Sequence, residues 1–184
     1  MDLTLQLNAR LRPNDRGDLY ENRLDEYLKK EGIGECIGGG TMQLASGEIE
    51  YCDVNVSIED SYTALDTMKK ILKEIGVPKG SLLYNDEVYL PVGDLEGMAI
   101  YLNGVDLPDN VYDQCDINQV ISDINIRIEN VGSFYSYWEG PMETALYFYG
   151  SSFYNMRKQI QVFVKHHHSV RNAELNKLRK DMSC

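Results

Sequence analysis

The 184-residue chain is predicted to be an α+β protein of two tandem ferredoxin-like units, each a split βαβ of order β-α-β-β-α-β with an antiparallel sheet. Three observations predict it. Several short runs alternate apolar and polar residues at the strand period; longer runs between them repeat at the helix period; and the order of the runs recurs in the second half without any repeat of the residues themselves. The first repeat is placed at residues 1–88 and the second at 94–184, with room for the two to pack as one compact unit. A composition of 43% apolar and 26% charged residues supports a sizeable core.

The first run, LTLQLNARL, places Leu3, Leu5, Leu7, Ala9 and Leu11 on one face of a strand. Asp18 followed by Glu21 reads as a capping box, after which Tyr20, Leu24, Tyr27 and Leu28 recur at helical spacing and Gly32 closes the helix. Cys36 to Leu44 and Glu48 to Ile58 read as a hairpin joined by Ala45-Ser46-Gly47. In its second strand Ile49 and Tyr51 share one parity while Val54, Val56 and Ile58 share the other, which predicts a bulge near Cys52 and Asp53. Asp60 or Ser61 then caps a helix with Leu65, Met68, Leu72 and Ile75 on one stripe, stopped by Gly76 and Pro78. Ser81 to Tyr84 completes the first repeat as an edge strand.

In the second repeat, EGMAIYL (Glu96 to Leu102) is a strand, and Asp116 caps a helix with Ile117, Val120, Ile121, Ile124 and Ile128 on one face. The hairpin SFYSYW-EGPM-ETALYFY follows. Ser151 or Ser152 starts a last helix through Phe153, Met156, Ile160, Phe163 and Val164, and the tail from Val170 to Leu178 supplies the final strand.

The glycine triplet of ECIGGGTMQL invites a phosphate reading that its context refuses. Dinucleotide and Walker cradles need a glycine loop after a strand and before a helix, so that the anion meets the helix N-terminus. Gly38, Gly39 and Gly40 instead follow a helix and enter a strand, where they serve a bulge, a bend or a close backbone approach.

No catalytic set is legible. Cys36, Cys52, Cys115 and Cys184 lack metal-ligand or redox spacing and read as reduced thiols. His166, His167 and His168 are consecutive at a helix end, where neighbours point about 100° apart and cannot converge on one ion. No metal and no cofactor is expected. Arg10 and Arg12, with Asp53 at the inferred bulge, are the residues named for a possible ligand. No apolar run is long enough for a membrane span and no signal peptide opens the chain, so the cytoplasm is the expected compartment.

Charge is more informative than motif. The net charge of -11 is segregated: Asp86 to Glu143 holds twelve acids against one base, Arg127, while the two flanks cancel. Such a segment repels nucleic acid and anionic lipid and attracts cationic partners within about one Debye length, ~8 Å. Within it lies the aromatic hairpin. A turn centred on Gly140 and Pro141 pairs Trp138 with Glu143, and puts Phe134, Ser136, Trp138, Glu143, Ala145, Tyr147 and Tyr149 on an open face. Tyr135, Tyr137, Thr144, Leu146 and Phe148 take the helix-covered face. Trp138, Tyr147 and Tyr149, with Glu139, Glu143, Asp109 and Asp113, are therefore the expected partner-binding set.

Taken together, LNARLRPNDRGDLYENRLDEYL, GGGTMQLASGEIEYCDV and YWEGPMETALYFYG resemble small uncharacterised bacterial proteins with tandem ferredoxin-like halves, some associated with toxin-immunity systems. The resemblance implies a binding role and carries over no catalytic residue. The expectation is an acidic protein-binding module, an immunity-type inhibitor of a basic partner such as a bacterial toxin. The alternative is a small-molecule or nucleotide-binding sensor or enzyme with its ligand between the two repeats.

Overall fold

The computed structural model describes residues 1–103, 116–166 and 173–178. It divides into two compact units, Met1–Leu95 and Glu96–Leu178. Asp109, Asp113, Cys115, His167, His168 and Cys184, all named above, lie outside the described residues.

In the first unit, β1 (Asp2–Leu7) leads into a helical segment made of α1 (Pro13–Arg16), a π-turn (Gly17–Glu21) and α2 (Asn22–Glu31). Then come β2 (Gly34–Gln43), β3 (Ile49–Ile58), α3 (Tyr62–Ile75), β4 (Ser81–Tyr84) and β5 (Tyr89–Val92). The sheet order is β2-β3-β1-β4-β5 with every pairing antiparallel. The second unit runs β6 (Glu96–Asn103), α4 (Ile117–Ile128), β7 (Gly132–Glu139), β8 (Glu143–Gly150), α5 (Phe153–His166) and β9 (Glu174–Leu178), with sheet order β7-β8-β6-β9. Leaving β5 aside, both are the ferredoxin-like arrangement, in which the third strand of each unit inserts between the first two. No helix of the described residues is long and apolar enough to cross a membrane.

The alternation in β1 buries Leu3, Leu5 and Leu7, and that in β3 buries Cys52, Val54, Val56 and Ile58. Leu24 and Leu28 of α2 and Ala64, Met68, Ile71, Leu72 and Ile75 of α3 supply the buried helix faces. In the second unit Met98, Ile100, Val120, Ile124, Ile128, Leu146, Phe148, Met156 and Ile160 form one cluster. The predicted caps are present: Ser61 accepts from the Ala64 amide at 3.1 Å, and Asp116 accepts from Asn118 at 2.9 Å and Gln119 at 3.4 Å. Ser152 accepts from Asn155 at 3.3 Å, and Glu96 reaches across from β6 to accept from the Phe153 amide at 2.8 Å.

Several expectations are corrected. The first helical segment begins at Pro13, ahead of the expected cap at Asp18, because Pro13 occupies the first helical position with φ already fixed and Asp15 lies in the first turn. Asp18 falls inside the π-turn, where the Asn22 amide bonds to the Gly17 carbonyl five residues back. That turn directs Tyr20 inward, and its hydroxyl donates to the Gly76 carbonyl at 3.1 Å.

The β3 phase change falls between Ile49 and Tyr51, at Glu50, and Cys52 belongs to the inward set as a small apolar residue. Asp53 is therefore not at a bulge. The glycine triplet has the structural role the sequence assigned to it. Gly38, with φ +128, follows the unpaired Ile37 at a β2 bulge, and a Cβ on Gly39 would overlap the Asp53 carbonyl. Finally, β4 is not an edge. Asn85 folds the chain back by accepting from the Glu87 amide at 2.9 Å and the Val88 amide at 2.7 Å, and β5 adds a strand beyond it.

Candidate functional site

The β7–β8 hairpin pairs Trp138 with Ala145 and Glu139 with Thr144, two residues out from the expected register, so the turn consists of Gly140, Pro141 and Met142. A shift of two preserves the faces. The bulge at Tyr135 does not, and it moves Phe134 to the helix side, where its ring meets Phe148 edge-on at 5.5 Å. Tyr135 correspondingly leaves the helix side and its ring tilts against Tyr149 at 4.9 Å.

Tyr147 and Tyr149 do not lie on an open face. They are 0% and 2% exposed, because β8 is buried on both sides through its second half. Gly97 and Ala99 of β6 stand opposite Tyr149 and Tyr147, and the Tyr149 ring occupies the space over Gly97, where a Cβ would press on it. Both tyrosines are core residues.

The tip of the same hairpin is different. Glu139, Pro141, Met142 and Glu143 are exposed, and Trp138 is half-buried with its indole laid against Gly140, where a methyl group would collide with the ring. The turn is closed by the Gly140 amide donating to the Glu143 carbonyl at 2.9 Å. Among the described residues neither Glu139 nor Glu143 has an ion-pair partner. Asp116 and Glu129 are also exposed in this unit. Arg127, the one base of the acidic stretch, is engaged internally: it stands over the Phe163 ring at 4.3 Å and donates to the Asp123 carbonyl. The tip thus offers one half-buried aromatic ring on the same face as Glu143, with Glu139 exposed on the other face of the hairpin.

The possible ligand residues of the first unit are each engaged separately. Arg10 pairs with Glu48, and Arg12 with Asp15 at 2.8 Å. The sequence reading missed Arg16, which is only 9% exposed and bonds both Glu21 and the Thr41 hydroxyl. Its signal was position: the last residue of α1, it meets the glycine strand where Gly39 carries no side chain, with its Nε 3.1 Å from where a Cβ would stand. This is a charge-satisfied structural knot. The thiols beside it are quiet. Burial pushes the pKa of both Cys36 and Cys52 up, and Cys52 donates to the Leu11 carbonyl at 3.3 Å. Among the described residues no group of three His, Cys, Asp or Glu side chains is placed to hold a metal.

Asp53 faces Gln6 across the β1–β3 pair, and its Oδ1 is buried without a hydrogen-bond partner. Burial raises its pKa, against the opposing pull of the Gln6 hydrogen bond and the Arg16 charge. A carboxyl whose folded-state pKa lies above the unfolded value of about 3.9 favours folding most below that value, and the benefit fades as pH rises through the folded pKa. Asp53→Asn is accordingly expected to raise stability at pH 7 by about 0.5–1 kcal/mol, allowing for partial exposure, and to give no gain near pH 3. Urea midpoints at the two pH values check this; an equal gain at both would remove the carboxylate's charge as the cause.

A cleft of about 290 Å³ lies within the first unit between α3 and β5. Leu72, Leu90, Pro91 and Val92 supply apolar lining, and Lys69, Lys73 and Asp94 are its charged residues.

No family model and no curated protein matches the chain. Among solved structures, a protein of unknown function from Galdieria sulphuraria aligns over 97% of this chain and 98% of its own at 11% identity, with a TM-score of 0.35. The ligand-free regulatory subunit of aspartate kinase from Thermus thermophilus aligns over 88% and 91% at 12% identity and TM-score 0.27. The first two RRM domains of yeast poly(U) binding protein align over 98% and 100% at 10% identity and TM-score 0.26. Similarity at this level carries no functional argument.

Proposed function

We propose that the chain is an acidic protein-binding module, of the kind that inhibits a basic partner such as a bacterial toxin, and that it engages that partner with the β7–β8 tip. The observation that supports the reading is Trp138, held half-buried against Gly140 at a hairpin tip where Glu139, Glu143 and Met142, which is 62% exposed, all reach solvent. An indole already held against Gly140 at an exposed turn loses little entropy on binding and suits the centre of an interface. The flanking carboxylates would steer a cationic surface toward it and set the association rate. Of the expected contact set, Trp138, Glu139 and Glu143 remain in this proposal, whereas Tyr147 and Tyr149 are removed by burial.

The test is association with a panel of purified basic bacterial nucleases, followed by surface plasmon resonance with the chain immobilised. Binding to at least one is expected, with an association rate that falls as salt rises. Trp138→Ala should weaken that complex by at least ~30-fold, chiefly through faster dissociation, and Glu139→Gln with Glu143→Gln should slow association. An association rate indifferent to ionic strength, or full affinity without Trp138, would sink the reading.

A second reading, a small-molecule or nucleotide sensor, is favoured by the cleft between α3 and β5, whose apolar lining and two ammonium groups suit an amphipathic anion. A ligand at 100 times its dissociation constant should add ~2.7 kcal/mol to stability in a thermal screen, and Lys73→Ala should remove the gain.

A further inference from the structure

The two edges of the first unit's sheet are unlike. At one end β5 has four residues and carries Pro91, which blocks pairing. At the other, β2 has ten residues with neither proline, lysine nor arginine, and it exposes Ile37 by 52%, Met42 by 46% and, just past its end, Leu44 by 40%. Its beginning is occupied, since Asp25 accepts from the Cys36 amide at 3.2 Å and the Ile37 bulge bends the strand. The stretch from Gly38 to Leu44 is open.

The direction of its backbone groups follows from the ladder. The Leu44 amide donates to the Glu48 carbonyl, which marks that pair as bonded, and the register is unbroken on β2 back to Gly38. In an antiparallel ladder bonded and non-bonded residues alternate. Met42, Gly40 and Gly38 therefore face β3, and the main-chain groups of Gln43, Thr41 and Gly39 point away from it. Among the described residues none of those three outward amides has a partner.

We propose that this edge pairs antiparallel with the same edge of a second copy of the chain, about a two-fold axis at Thr41. That register bonds Gly39 to Gln43, Thr41 to Thr41 and Gln43 to Gly39, closing six main-chain hydrogen bonds. It also sets every large side chain of the outer row against a glycine of the other copy: Met42 over Gly40 and Leu44 over Gly38. This self-complementarity selects a second copy over an unrelated strand, which would need its own gaps in register. Charge agrees, because Glu35 is the one ionisable carboxylate of β2 and lies outside the paired stretch. A Cβ on Gly40 would meet nothing within 4 Å in the single chain, so the absence of a side chain there is unexplained until a partner covers it.

Sedimentation of the full chain between about 1 and 100 μM is the test, with amide exchange of Gly39, Thr41 and Gln43 as the site-specific readout. A reversible dimer of the 21.0 kDa chain is expected, with those three amides protected in proportion to dimer. Met42→Lys and Gly40→Ala should each raise the dissociation constant by at least ~30-fold while leaving the circular dichroism unchanged. A monomer throughout the range overturns the proposal. So does a dimer that keeps its affinity in both variants or leaves the three amides exchanging freely.

Discussion

Phe148→Ala is expected to cost the second unit about 3–5 kcal/mol, the range for emptying a buried phenylalanine site. Phe148 is 0% exposed, sits on the central strand β8 and stands opposite Met98 on one side and Phe134 on the other. Its ring meets Phe134 edge-on, a contact worth roughly 0.5–1.5 kcal/mol beyond the area it buries. Ile124, Ile128, Met156 and Ile160 belong to the same cluster, so the void would open between sheet and helices, where neither layer can collapse freely into it. Set against a total of about 5–15 kcal/mol for an ordinary domain, that loss removes a fifth or more of the unit's stability. Trp138 lies in the same hairpin and is the only tryptophan, so its emission reports this unit alone during urea unfolding. Phe148→Leu, which keeps most of the volume, should cost less than half as much. A midpoint that barely moves in Phe148→Ala would mean that the cluster is not what holds the unit together.

What the sequence disclosed of this fold was whatever depended on local period and local caps. The alternation of Leu3, Leu5 and Leu7, the Ser61 and Asp116 caps, and the apolar stripes of α3, α4 and α5 are each settled within a few residues of chain, and each is found in the structure. What stayed hidden was decided by residues far apart. Whether Tyr147 and Tyr149 face solvent is not set by the alternation within β8, where Ala145 to Gly150 are buried at every position, and their cross-strand neighbours Gly97 and Ala99 meet them only once β6 and β8 pair. The face of Phe134 turns on one extra residue at Tyr135, a bulge with neither glycine nor charge to announce it. The early start of α1 was overlooked because the Asp18 to Glu21 spacing offers a competing cap, while Pro13 needs no capping side chain to begin a helix. The candidate site divides along the same line. Trp138, Glu139 and Glu143 sit at a turn, where local chemistry fixes exposure, and they remain available; the tyrosines sit mid-strand, where cross-strand partners decide.

The glycine triplet yields the second large effect, because its three members do different work. Gly39→Ala places a methyl group where the Asp53 carbonyl already is, with Arg16 Nε and Glu21 Oε1 each 3.1 Å away on the helix side. A carbonyl in a ladder cannot retreat without breaking it, so β2 must lift from β3 or the Arg16–Glu21 pair must part; the expected cost is about 1–3 kcal/mol. Gly38→Ala meets no atom within 4 Å, yet its φ of +128 is a conformation that residues with a side chain avoid, and a cost of about 1–3 kcal/mol arises from backbone strain alone. Gly40→Ala has neither problem and should fall within about 0.5 kcal/mol of the parent. Carrying the series in a Met42→Lys background keeps self-association out of the measurement, leaving the intrachain term to be read from urea midpoints. The order expected is Gly40 unaffected and the other two destabilised, with amide protection along β2 lost first in Gly39→Ala. Equal tolerance at all three positions would mean that close approach of β2 to the Arg16 knot is not what the triplet provides. A loss confined to Gly40 would point instead to a surface acting through its bare backbone within the single chain.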